Sequence, residues 1–132
     1  MDDYSLDLAN FRLDKALQCI NDAKAMLRLN SYASAANRSY YAIFHSARAI
    51  LALDNIDRKR HSAVISYFQQ YYVKTNIFDR KFSKIIQDAF EIRQESDYED
   101  FYVVSREDVI EQIEDAEKFY NEVKQYITQR TA

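Results

Sequence analysis

The chain of 132 residues contains no glycine and no proline, where average usage would supply roughly nine and six or seven. Hairpin turns and phosphate-cradling loops both need backbone that a Cβ obstructs, so the missing glycine counts against a β-fold and against a nucleotide loop. Tryptophan is absent too. The single cysteine, Cys19, excludes an internal disulfide, and no Cys/His set stands at zinc spacing. No metal or other cofactor is expected. No run approaches the roughly eighteen apolar residues of a membrane span, and MDDYSLDLAN has neither a basic nor an apolar leader region. The expectation is a soluble, cytoplasmic protein without membrane attachment.

What remains is rich in helix formers and in aromatics, with eleven Tyr and eight Phe. Much of the interior must then carry hydroxyls that need partners. The net charge of −3 is unevenly spread. Residues 1–53 carry six Lys/Arg against five Asp/Glu, residues 54–90 seven against four, and residues 91–132 five against twelve. An acidic protein with one basic segment is no general nucleic-acid binder by charge, but the asymmetry suits a local basic groove or pairing between chains.

Hydrophobic spacing predicts an all-α fold, an antiparallel up-and-down bundle of about five helices with a four-helix core. The first helix runs from about Leu6 to Leu29, with Leu13, Ala16, Leu17, Ile20, Ala23 and Leu27 on one stripe. Asn30-Ser31 breaks it, and Ser31 is placed to cap a second helix from Tyr32 to Leu53. A polar connection, DNIDRKR, leads to a third helix from His61 to Val73. Asp79 caps a fourth, from Arg80 to about Gln94, before SDYEDFYVV interrupts the pattern. Ser105-Arg106-Glu107-Asp108 resembles a capping box for the fifth, whose stripe is Val109, Ile113, Ala116, Tyr120, Val123 and Ile127. Asn, Asp and Ser are expected to build the turns. The second helix carries only Arg38 and Arg48 as charged residues, so it is expected to be central.

Arg38 and His45, seven positions apart, differ by only about 20° around that helix. They lie opposite the stripe of Ala36, Tyr40, Ile43, Ala47, Ile50 and Leu51, with Tyr41 between them. Two readings stay open. Arg38 could pair with an acid from the C-terminal third while His45 bonds within a helix interface. Alternatively the two form a phosphodiester site, Arg holding phosphate through parallel hydrogen bonds and His acting as acid or base, with Tyr41 beside the substrate. A second set is Arg93 and Asp97 in IRQESDY, four residues apart on the apolar side, where an arginine must be paired. Arg58, Lys59 and Arg60 form a basic run that could contact phosphate or remain a solvated connection. Tyr67, Phe68, Tyr71 and Tyr72 read first as core and interface, and would stack bases only if exposed.

NRSYYAIFHSARAIL at 37–51, HSAVISYF at 61–68 and RQESDY before a capped amphipathic helix resemble the HEPN superfamily, in its small single-domain prokaryotic, UPF0332-like branch. The resemblance covers about residues 10 to 127 and implies one HEPN-like helical domain over 1–132. It also implies a homodimer, a minimal nucleotidyltransferase as antitoxin partner, and a toxin–antitoxin or defence context. Many members are metal-independent endoribonucleases acting on RNA through an Arg, four to six residues and a His. Arg38…His45 satisfies that spacing. In the nuclease branches the pair lies on a late helix, and the counterpart here, Arg93…Asp97-Tyr98, has Asp in place of His. Tyr98 and Tyr102 are candidates for modification by a nucleotidyltransferase. Two functions follow: an endoribonuclease toxin using Arg38 and His45, or a non-catalytic helical module that binds a nucleotidyltransferase or a nucleotide.

Overall fold

Three asparagines stand where other chains place glycine. Among the described residues, Asn30, Asn55 and Asn76 are those with left-handed backbone, at φ 58°, 60° and 65°, a conformation Asn tolerates better than other residues with a Cβ. A computed structural model of the chain describes residues 3–132. Five helices follow in order: α1 Asp3–Arg28, α2 Tyr32–Leu53, α3 His61–Phe68, α4 Arg80–Tyr98 and α5 Arg106–Arg130. Asn30 ends α1 in a Schellman turn, with Ser31 N–H donating to Met26 O at 2.9 Å and Asn30 N–H to Leu27 O at 3.0 Å. Asn55 repeats the motif after α2, and Ile56, donating to Leu51 O at 2.8 Å, closes it with an apolar side chain packed on the core.

The caps match the expectation in part. Asp79 accepts from Lys81 N–H and Ser105 from Asp108 N–H, satisfying amides that the first helical turn leaves free. Ser31 occupies the cap position of α2 without a side-chain bond. The third helix does not continue as α to Val73; Gln69–Val73 is a π-turn, with Lys74 N–H reaching Gln69 O at 3.0 Å. The extra residue lets Phe68, Tyr72 and Val73 all bury while Tyr71 stays outside. Helix α4 extends one turn past Gln94, to Tyr98.

α2 is the axis of the molecule, with fourteen of its 22 residues buried. Its small residues Ala42 and Ala49 are fully buried, which permits close approach of α1. The α1–α2 hairpin pairs residues equidistant from Asn30: Ser5 bonds Asn55 at 2.5 Å, and Arg12 donates to the carbonyl of Arg48 at 3.0 Å. α5 seats its predicted stripe, all six residues buried, and adds Phe119, which packs between Phe68 and Phe82. Leu17, placed on the α1 stripe by spacing, is 41% exposed. The ends of α2, the π-turn and α5 meet at Asp54, which accepts hydrogen bonds from Tyr72 and Arg130.

Candidate functional site

The connection 54–60 runs back along α2 and begins α3 beside the middle of that helix rather than at its end. His61 consequently stacks on Phe44, ring centroids 4.2 Å apart, and on Tyr40 at 5.6 Å. Its Nδ1 lies 2.6 Å from the Tyr40 hydroxyl. Burial raises the Tyr40 pKa, so the phenol keeps its proton; the bond runs from the phenol to Nδ1 in the Nε2–H tautomer of His61 and from Nδ1–H to the phenol oxygen in the other. Burial, then Arg93 and Arg48, lower the His61 pKa.

Tyr41 is the hub. The Arg38 guanidinium lies 5.1 Å from its ring centroid and that of Arg93 lies 5.4 Å away. The rings of His45 and His61 approach it to 5.9 Å and 5.7 Å. Arg93 also lies over Tyr40, at 5.3 Å. Arg38, His45 and Arg93, drawn from two sets separated along the sequence, therefore converge on one ring, and Asp97 is tied to it only through its ion pair with Arg93. Two guanidiniums on tyrosine faces suit cation–π contact, which holds each planar fork while leaving its edge donors available.

Neither arginine is saturated. Among the described residues Arg38 pairs with no carboxylate; its Nε and a terminal N donate to Asn37 Oδ1 at 3.2 and 2.8 Å. Asp97 and Asp22 share with Arg38 and Asn37 an open groove of about 410 Å³, which Ser34 and Met26 help line. The predicted Arg93–Asp97 ion pair is present, Nε to Oδ2 at 3.4 Å, yet that Nε is buried without a hydrogen bond. The distance satisfies an ion pair, but the geometry does not align the N–H with the oxygen.

His45 is placed differently. Its Nδ1 is buried with no hydrogen-bond partner among the described residues. Burial first, then Lys15, Arg48, Arg38 and Arg12, push its pKa down to about 4. The imidazole is neutral at pH 7 inside a ring of cations contributed by both helices of the α1–α2 hairpin. A bound phosphate would offset those cations and raise the pKa. Of the basic run, Arg58 lies 5.5 Å from the Tyr67 ring, and Lys59 and Arg60 are exposed on the approach to His61. Tyr98, next to Asp97, is 70% exposed. Tyr102 instead packs on the cluster around Ala23 and Val109, its pKa raised by burial and then by Glu95 and Asp108.

Sequence reasoning missed Arg12, Lys15 and Arg48 as part of the site, and placed His61 at a basic helix start without linking it to Tyr40 or Tyr41. The first group had a readable signal. In a hairpin centred on Asn30, Arg12 faces Arg48 and Lys15 faces His45. His61 had none, because its position depends on the path of the 54–60 connection.

The HEPN domain family model matches residues 9–126. The chain belongs to the HEPN family. Among HEPN relatives, a UPF0332 protein of Thermotoga maritima is 32% identical over 113 residues, 86% of each chain. A UPF0332 protein of Archaeoglobus fulgidus is 32% identical over 119 residues, 90% of this chain and 94% of its own. A Methanocaldococcus jannaschii protein named "Putative toxin" is 34% identical over 86 residues, covering 65% of this chain and 64% of its own. Among the described residues, no helix of this HEPN chain is long and apolar enough to cross a membrane.

Proposed function

We propose that this protein is the toxin component of a toxin–antitoxin pair and acts as an endoribonuclease at the Tyr41-centred site. One observation carries the reading: two incompletely bonded arginines and two neutral histidines converge on a single half-buried tyrosine. The toxin name carried by relatives and the family's Arg–His spacing support it. Arg38 and Arg93 would hold the scissile phosphate and stabilise charge developing on its oxygens. Attack of the ribose 2′-oxygen on phosphorus, with loss of the 5′-oxygen, needs a base for the first proton and an acid for the second. His45 is suited to be the base because it is neutral, and a phosphate at Arg38 would lift its pKa towards the working range. The imidazolium that His45 becomes on taking the 2′-proton would return that proton to the departing 5′-oxygen, while the neutral His61 ring would serve only to hydrogen-bond and position the phosphate. A homodimer would enlarge the site across two copies, and a small nucleotidyltransferase is the antitoxin partner that the family suggests.

A second reading has its own observation. A histidine with a pKa of about 4 is a weak acid–base at pH 7 unless its substrate raises that value. The site would then bind a nucleotide or a nucleotidyltransferase without cleaving. Purified protein incubated with total RNA decides between them. Cleavage lowered about a hundredfold or more by Arg38→Ala, His45→Ala and Arg93→Ala, each with wild-type circular dichroism, is the expected result. No cleavage by the wild type, with retained nucleotide binding, would leave the binding module.

A further inference from the structure

Away from the Tyr41 site, α4 and α5 enclose a groove of about 230 Å³ whose rims are acidic. Asp88, Glu91 and Glu95 line one side, and Asp108, Glu111 and Asp115 the other. Each row has spacings of three and four residues, about 4.5 and 6 Å along a helix. The helices are antiparallel, since Asp88 acts on Asp115 while Glu95 and Asp108 both act on Tyr102. The rows therefore form three rungs of facing carboxylates. Lys84 pairs with Asp88 at 2.5 Å, Gln87 donates to Glu91 at 3.2 Å, and Lys118 lies near Asp115. Glu95, Asp108 and Glu111 have no ion pair or side-chain hydrogen bond among the described residues.

A second observation is independent of the charge. Gln112 lines the same groove, is only 5% exposed, and among the described residues has neither a donor for its Oε1 nor an acceptor for its Nε2. A buried amide without partners is destabilising by about 1–3 kcal/mol per unsatisfied group, so its presence in this wall points to a ligand that completes it. The wall between the acidic rims is apolar, formed by Ile43, Ala89 and Ile92.

We infer that the α4–α5 groove binds a linear aliphatic polyamine, its ammonium groups between the carboxylate rungs, its methylenes on Ile43, Ala89 and Ile92, and one N–H on the Gln112 amide oxygen. Each step between rungs is three residues on one helix and four on the other, about 5 Å on average, a separation that methylene spacers of three and four carbons bridge. A single metal ion does not fit as well. It gathers oxygens at about 2.0–2.6 Å, whereas these rows extend over two helical turns and, among the described residues, no group of acidic or histidine side chains is gathered to hold one.

Calorimetric titration of the full chain with spermidine tests the site. One saturable site is expected in the wild type, with Glu95→Gln/Glu111→Gln weakening affinity about tenfold, as loss of two exposed charge pairs implies. Gln112→Leu should weaken it while leaving every charge in place. The control Asp7→Asn/Asp14→Asn removes the same charge from exposed positions on α1 and should bind as the wild type does. Equal weakening in the control pair would overturn the site in favour of diffuse attraction. So would an equal response to Mg²⁺, or tighter binding of the tripeptide Arg-Lys-Arg, which would assign the groove to the basic segment of a protein partner.

Discussion

At the scale of single residues, the molecule relies on side chains in positions that ordinary helix chemistry would not favour. Asn30 holds a left-handed backbone that costs a residue with a plain Cβ about 1–2 kcal/mol. Asn30→Ala should lower the thermal midpoint by about 4 °C, and Asn30→Gly should leave it near the wild-type value, both by circular dichroism. His45 gives a pH signature. Its folded pKa of about 4 lies below the roughly 6.5 of the unfolded chain, so between those values the folded state binds fewer protons. Stability is then full above pH 6.5 and is lost as the pH falls towards 4. Thermal unfolding between pH 7 and 5 should show this decline, and His45→Gln should flatten it. His61, lowered in the same direction, contributes the remaining slope. Asp54 acts only at more acidic pH. Burial alone would raise its pKa, but hydrogen bonds from Arg130 and Tyr72 outweigh that and hold it below the usual range.

At the scale of elements, the π-turn is the feature that periodicity could not predict. A repeat of 3.6 residues continues through Gln69–Val73 without a visible break, and only the packing of both Tyr72 and Val73 against the core selects the wider turn. Deleting Gln70 should remove the widening and return the segment to α geometry, with Val73 still on the buried face. Deleting Ser66, exposed on the α-helical part, would rotate everything after it by about 100°. Urea unfolding should place the first variant within about 1 kcal/mol of wild type and the second several kcal/mol below. The other elements were legible for physical reasons. α5 and its stripe are surface-to-core patterning, and α2 announced its centrality by lacking charge. The end of α4 was misread because Glu95, Ser96 and Asp97 look like a turn. Arg93 and Asp97 instead bridge one helical turn and carry the helix to Tyr98. The candidate site was half legible. Arg38, His45 and Tyr41 share a helix face that angles reveal, whereas the convergence of Arg93 and His61 on the same ring is tertiary.

At the scale of the whole molecule, charge is segregated into a cationic hairpin face and an acidic α4–α5 face on a chain of net −3. Single-stranded RNA bound at the Tyr41 site by about three phosphate contacts should show a log–log salt slope near −2, about −0.7 per contact. Arg38→Ala should make that slope shallower by roughly 0.7, which fluorescence anisotropy across salt concentrations can resolve. A slope unchanged by the substitution would place the nucleic acid elsewhere. Function and fold also share one helix here. Within α2, informative substitutions are confined to the half-exposed positions, because its fourteen buried residues cannot be altered without disturbing the core.

Replacing glycine by asparagine at the helix ends also gives the chain a chemical clock. Asparagine can cyclise when the following backbone nitrogen attacks its side-chain carbonyl, and the next residue controls the rate. Asn55 and Asn76 precede isoleucines, whose branching hinders attack, whereas Asn30 precedes a serine. In the folded protein the Ser31 N–H is held by the Met26 carbonyl, which keeps that nitrogen from reacting. Spontaneous deamidation at Asn30 would therefore record, over the lifetime of a sample, how often the end of the first helix comes undone.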